Sequence, residues 1–350
     1  MRHLLLSLLC GLLCMSSTRI PPDTSELALD AGHERSVFFW RTTLTIGSRE
    51  RAMLDEMKVS TLYVRYLDVS GYSVSGARPV QPIQPEGELN VKGLSIVPTV
   101  FLDPDVLRDA HDSTVLHGLA YRLVRYLREI DTVIHSAAGI AIRPTFQRLL
   151  LDCDWTPSTR TTYFQFVQYV QALLPSTSVE TTIRLWQYRH PSLAGIPPVK
   201  RGLLMCYNMD RYDDPWTDNA IASIEKLKLY VQAETARTYP LMLDVAYPTY
   251  RQTVYMQNNA ESWRYARIIY SDLPVGRHTF TSDTMIADLR IGRGDVVRVD
   301  GGTADLLRAM HDHISTTIPH DRVAGSALFD LDTTEFERIG IHVLKSIYSE

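Results

Sequence analysis

Two carboxylates close a short apolar run, Arg148-Leu149-Leu150-Leu151-Asp152-Cys153-Asp154-Trp155-Thr156. Side chains alternate along a strand, so Asp152 and Asp154 project to the same side. Like charges on one face repel. The repulsion raises the proton affinity of one carboxyl and suits it to act as an acid beside its ionised neighbour. The competing reading is that Arg65, Arg160 or Arg184 neutralises one of the two and makes the pair structural. Trp155 follows directly. Acids that work at an anomeric centre, together with rings that stack on apolar sugar faces, are what a carbohydrate site needs.

The ends of the other apolar runs extend the set. In chain order they carry Arg41, Arg65 with Asp68, Asp103, Arg184 with Trp186, Tyr207 with Asn208 and Asp210, Asp244 with Tyr247, and Asp330 with Asp332. A single aspartate after a strand is more often a helix cap or loop residue. Recurrence at nearly every end points to a site. Asp152, Asp154 and Asp244 are the catalytic candidates. Trp155, Arg184, Trp186, Tyr207, Asn208 and Tyr247 are the substrate-binding candidates, and a glycan is the expected partner. His311, His313 and His320 lack further ligands at metal-binding spacing, so no metal is expected. No P-loop, nucleophile elbow or dinucleotide fingerprint is present, so no cofactor is expected either.

These ends belong to eight candidate strands: 37–40, 61–67, 94–101, 146–152, 179–185, 202–207, 241–247 and 325–331. Most are near-continuous apolar runs, the pattern of parallel strands buried on both faces. Helical patterns lie between them. One opens at Ser48. Another, 113–134, carries Leu116, Leu119, Leu123, Leu127 and Ile130 at helical spacing. A third spans 159–174 and ends at Pro175, a fourth runs over 218–236 behind a Thr217 cap, and 303–314 and 336–348 close the series. Alternating strands and helices predict a (β/α)8 TIM barrel with its chemistry at the C-terminal strand ends. An open doubly wound sheet with a C-terminal subdomain is the alternative; a closing helix after the last strand favours the barrel. Residues 72–91 show no helix. Residues 248–322 form an insertion between strands 7 and 8, placed to cover the rim.

At the N-terminus, Met1-Arg2-His3, an apolar run from Leu4 to Met15, and Ser16-Ser17 have the layout of a secretory signal peptide. The expected organisation is a signal peptide over 1–16, a linker over 17–35 and one barrel domain over 36–350, secreted or held in the cell envelope. Cys10 and Cys14 offer lipid attachment as the alternative, the one route to a membrane. A net charge of −4 and a pI near 6.3 give no electrostatic case for nucleic acid or an anionic membrane surface. Cys153 and Cys206 remain in the mature chain and read as two buried thiols, with pairing as the other option.

Two stretches resemble family 18 glycoside hydrolases. That family ends its fourth strand in Asp-x-Asp-x-Glu, and here Asp152-Cys153-Asp154-Trp155-Thr156 matches except at the last residue. Its sixth strand carries Met-x-Tyr-Asp, and here Met205-Cys206-Tyr207-Asn208 has Asn for Asp. The resemblance implies that Asp152 and Asp154 support the chemistry and that Tyr207 and Asn208 orient an N-acetyl group. It also implies that the general acid is missing, because the hydroxyl of Thr156 cannot donate a proton as a carboxylic acid does. The order of Phe39-Trp40-Arg41, the acidic fourth strand with Arg160, and Leu185-Trp186 is similar to a bacterial barrel family, domain of unknown function 3142. That likeness implies a fold and an extracytoplasmic place.

Overall fold

The computed structural model describes residues 33–71, 76–108, 112–141, 146–259 and 262–349. The expected signal peptide and most of the linker lie outside them. Eight parallel strands form the barrel: β1 Glu34–Phe39, β2 Thr61–Ser70, β3 Ser95–Leu102, β4 Arg148–Asp152, β5 Ser178–Arg184, β6 Arg201–Met205, β7 Met242–Pro248 and β8 Val323–Phe329. Each pairs with its sequence neighbour, and β1 pairs with both β2 and β8, which closes the sheet. The (β/α)8 barrel expected from the sequence is the fold observed.

The helix layer covers the outer face. Helix Ser113–Ala137 buries Leu116, Leu119, Leu123, Leu127 and Ile130 against the strands, with Asp112 accepting a cap bond from the Thr114 N–H. Helix Arg160–Leu173 buries Tyr163, Phe166, Val167 and Val170. Three helix expectations change. Ser48 is the first helical residue rather than the cap, which falls on Gly47. Residues 218–222 are not helical, because the Asn219 side chain takes the Ile221 and Ala222 N–H groups and its amide binds the Gly301 carbonyl; helices Ile224–Tyr230 and Ala233–Thr238 follow instead. The last helix is split into Thr333–Ile339 and Ile341–Ile347 by Gly340, which sits at φ 99°, a left-handed conformation that suits glycine.

Among the described residues, both the stretch 72–91 and the insertion contain β strands. Arg78–Val80 pairs antiparallel with the end of β2, and Gln84–Leu89 pairs with Thr43–Ile46, so among the described residues no helix bridges β2 and β3. After β7, strands Ser262–Ile269, Arg251–Asn259, Val296–Gly301 and Gly276–Thr279 make a four-stranded antiparallel sheet in that order. Val296–Gly301 is an inner strand of this sheet. Helix Ala304–Thr317 then returns to the barrel and buries Leu307, Met310 and Ile314 in its core.

Inside the barrel, alternation stacks side chains in layers. Glu34, Tyr63, Arg148, Glu180, Arg201 and Asp244 meet at the N-terminal end. Arg201 Nε lies 2.7 Å from Asp244 Oδ2, Arg148 Nε 2.6 Å from Glu180 Oε1, and Glu34 bridges the two guanidiniums at 2.5 Å each. Burial alone would raise the Glu34 carboxyl, but Arg148 and Arg201 outweigh it and hold it at about 2. For Glu180, burial wins over Arg148 and the carboxyl moves up. Gly325 leaves the room this layer needs: a Cβ there would stand 2.6 Å from the Glu34 carbonyl oxygen and 2.9 Å from Asp244 Oδ1.

Candidate active site

A cavity of about 640 Å³ opens at the C-terminal ends of the strands. Its size falls in the range of about 300–1,000 Å³ common to small-ligand sites. Asp152 and Asp154 both line it, while Cys153 and Trp155 between and beyond them are buried on the other side. The period-two alternation read from the sequence therefore operates through the end of β4. Asp68, Arg65 and Gln81 line a second wall. In a regular strand residues three apart face opposite ways. Here the register of β2 against β3 shifts between Arg65 and Leu67, and this bulge returns Asp68 to the interior. Arg65 then holds Asp68 with two bonds and donates to Gln81 Oε1 at 2.9 Å. Aromatic surface completes the lining: Trp40 from the end of β1, Phe101 from β3, Tyr207 just past β6 and Phe329 from β8. Tyr207 stacks on Phe329 with ring centroids 4.7 Å apart, and Trp40 tilts against the same ring at 5.5 Å.

The two central carboxyls are treated differently. Arg184 donates to Asp154 Oδ2 at 2.5 Å and to the Asn208 carbonyl at 3.0 Å. The Oδ1 of Asp152 accepts instead from the Thr182 hydroxyl, at 2.8 Å. Burial and the neighbouring charge of Asp154 push the Asp152 carboxyl up to about 7, against the smaller opposing pulls of Thr182 and Arg184. The arrangement offers one carboxyl poised to hold a proton near neutrality beside one fixed in an ion pair.

Other expected site residues lie elsewhere. Asp244 is not at the rim: it is the third residue of β7, buried in the ionic layer at the opposite end, where Arg201 takes both its oxygens. Tyr247 is buried outside the barrel wall, with its hydroxyl 3.5 Å from His311 Nδ1 on helix Ala304–Thr317. Trp155 is 2% exposed; it stacks on Tyr163 at 5.2 Å and donates to the Ala194 carbonyl at 2.9 Å. Trp186 is 37% exposed, lies against His190, and is not part of the lining. Tyr207 and Asn208 do line the cavity, with Asn208 in a left-handed turn at φ 53° and bonded by the Tyr250 hydroxyl. Thr156 points away: its hydroxyl bonds Ser158 at 2.8 Å and its N–H donates to Thr159 at the start of helix Arg160–Leu173. Cys153 and Cys206 are separate buried thiols, both pushed up by burial.

Sequence reasoning placed Arg41, Arg65 and Asp68 at strand ends but chose none of them. It missed Trp40, Phe101 and Phe329, since an apolar residue closing an apolar strand carries no signal that separates cavity wall from core, and it missed Gln81, which a loop strand brings to Arg65. The insertion flanks the rim rather than covering it: Tyr250 reaches Asn208, but the cavity lining comes from the barrel and its first loops.

No protein-family model matches the chain, and no curated protein sequence matches it. Neither family resemblance drawn from the motifs therefore gains support from sequence. Among solved structures, the chain is similar to the spore cortex-lytic enzyme SleL of Bacillus megaterium QM B1551, at 11% identity over 91% of this chain and 74% of that one, with a TM-score of 0.51. More distant likenesses include a fungal endo-beta-N-acetylglucosaminidase from glycosyl hydrolase family 18 (10% identity, 90% and 97% coverage, TM-score 0.46). Active domain 2 of a chitinase from Pyrococcus furiosus is a further one (11%, 90% and 94%, TM-score 0.43). At these identities the likeness shows the barrel fold.

Proposed function

We propose that the cavity at the C-terminal rim binds a glycan. The observation that carries this reading is the convergence of Asp68, Asp152 and Asp154 with the rings of Trp40, Tyr207 and Phe329 in one cavity. Carboxyls bind sugar hydroxyls, and rings cover the apolar faces that sugars present. A spore cortex-lytic enzyme shares this barrel fold, and the motifs around Asp152 and Tyr207 resemble glycoside hydrolases; both agree with a glycan ligand. At the position where that family carries its acid, this chain has a threonine engaged at a helix start, so recognition is the primary role. Hydrolysis is the second reading, favoured by Asp152 alone: its raised proton affinity makes it a donor at neutral pH. We also propose that the protein works outside the cytoplasm, on the strength of the leader-like segment Leu4–Met15.

A glycan array probed with the chain from Ser17, with mass spectrometry of every bound glycan, tests the reading. Binding lost in Tyr207→Ala supports it, and absence of any binding overturns it. Cleavage products that vanish in Asp152→Asn would select hydrolysis. Fractionation of the full chain tests the location: a cytoplasmic product of unaltered mass would refute it.

A further inference from the structure

The charged groups around the rim cavity pair off, with one exception. Arg65 is held by Asp68 through two bonds, one of them 2.8 Å. Arg184, just outside the lining, is held by Asp154 at 2.5 Å. The third carboxyl, Asp152, keeps its proton below about pH 7 and adds no charge there. Arg41 is the remaining charged residue of the lining, and among the described residues no carboxylate forms an ion pair with it.

The contacts that Arg41 does make are neutral. One N–H donates to the Leu331 carbonyl at 2.5 Å, and the guanidinium carbon stands 5.4 Å from the centre of the Phe39 ring. These contacts fix the head of the side chain and use one of its five N–H donors. Two acids stand beyond the end of β8, and neither closes on it. Asp332 is engaged at the start of helix Thr333–Ile339, where it accepts from the Thr334 and Glu335 N–H groups. The Asp330 carboxyl is pushed up by burial, against a smaller pull from Arg41, and the two form no ion pair. Arg41 is exposed and shares the cavity wall with Trp40 and Thr42, its neighbours in the chain. A fixed guanidinium with four donors left, beside a ring on a cavity wall, matches an oxyanion: its N–H groups can meet two oxygens of a carboxylate or sulfate at once. A neutral ligand would cover that charge and give it no counter-charge.

We propose that Arg41 makes the cavity selective for an acidic glycan, one whose bound unit carries a carboxylate or a sulfate group. This selectivity rests on the glycan reading above and names the class of glycan. The test pairs each carboxylated glycan of an array with its methyl ester, and each sulfated glycan with its desulfated form. The pairs are probed at low salt and about pH 6, where Asp152 holds its proton, with the unaltered protein, Arg41→Met and Arg41→Lys. The expected result is tighter binding of the acidic member by about tenfold or more. The ratio should fall to about one in Arg41→Met and be intermediate in Arg41→Lys, which keeps the charge without the fork. The kind of pair that shows the preference identifies the oxyanion. Added salt should erode the same ratio in the unaltered protein, a readout independent of how any variant folds. Equal affinity within every pair, a preference that Arg41→Met retains, or one that salt leaves unmoved overturns the role of Arg41 and leaves the cavity reading standing. No binding of any glycan overturns both.

Discussion

Replacing Asp152 by asparagine should have an effect on stability that grows across the neutral pH range. In the folded protein the carboxyl titrates near 7 against an ordinary value of 3.8. Below 3.8 both folded and unfolded chains hold the proton, and the group contributes no pH dependence. Between 3.8 and about 7 the folded state keeps the proton that the unfolded chain has lost, so stability falls as pH rises. Above 7 the full penalty of the charged, enclosed carboxylate is present. The interval from 3.8 to about 7, at about 1.4 kcal/mol per pH unit, makes that penalty about 4 kcal/mol. The introduced amide cannot ionise, and its oxygen can still accept from the Thr182 hydroxyl that now bonds Asp152 at 2.8 Å. The variant should therefore be close to the unaltered protein in stability near pH 4 and gain on it steadily up to about pH 8, by a few kcal/mol. Urea denaturation of both proteins across this pH range measures the difference directly. A difference that stays flat throughout would refute the argument and place Asp152 among ordinary solvated carboxylates.

Three other changes probe the surrounding frame. Arg184→Met removes the partner of Asp154 and a charge that lowers Asp152, so carbon-13 carboxyl NMR should show the Asp152 midpoint move up by about one unit; an unmoved midpoint would separate Arg184 from the pair. Trp155→Ala empties a packed site under Tyr163 and should cost about 3–5 kcal/mol in denaturant unfolding, while glycan affinity measured on the folded fraction stays unchanged; a selective loss of affinity would return Trp155 to the binding surface. Arg201→Met removes the two-bond partner of Asp244 and leaves Glu34 and Asp244 with Arg148 alone; it should destabilise by about 3–5 kcal/mol, with Asp244→Leu added to it restoring part of the loss.

The barrel was legible because eight apolar runs with polar ends are a one-dimensional pattern. The same pattern misassigned Asp244. An acid in an apolar run reads as a strand end, yet its partners Arg201 and Arg148 arrive from 43 and 96 residues away, a pairing no local spacing reveals. Asp152 and Asp154 were legible through alternation alone, and the same alternation turns Trp155 out into the helix layer. Asp68 joins the cavity only through a bulge in β2. Trp40, Phe101 and Phe329 belong to the cavity because the closed sheet brings β1, β3 and β8 around one opening. The helix expected over 218–236 failed at Asn219, whose side chain bonds Gly301 from the inserted sheet.

The most direct test of the central claim is isothermal titration of the strongest glycan from the array against the unaltered protein, Tyr207→Ala and Asp154→Asn. A glycan site at the rim predicts measurable binding by the unaltered protein and a loss of at least tenfold in each variant, with the fold intact by circular dichroism. Equal affinity in all three proteins would contradict it, because a ligand that ignores both residues is not held in this cavity.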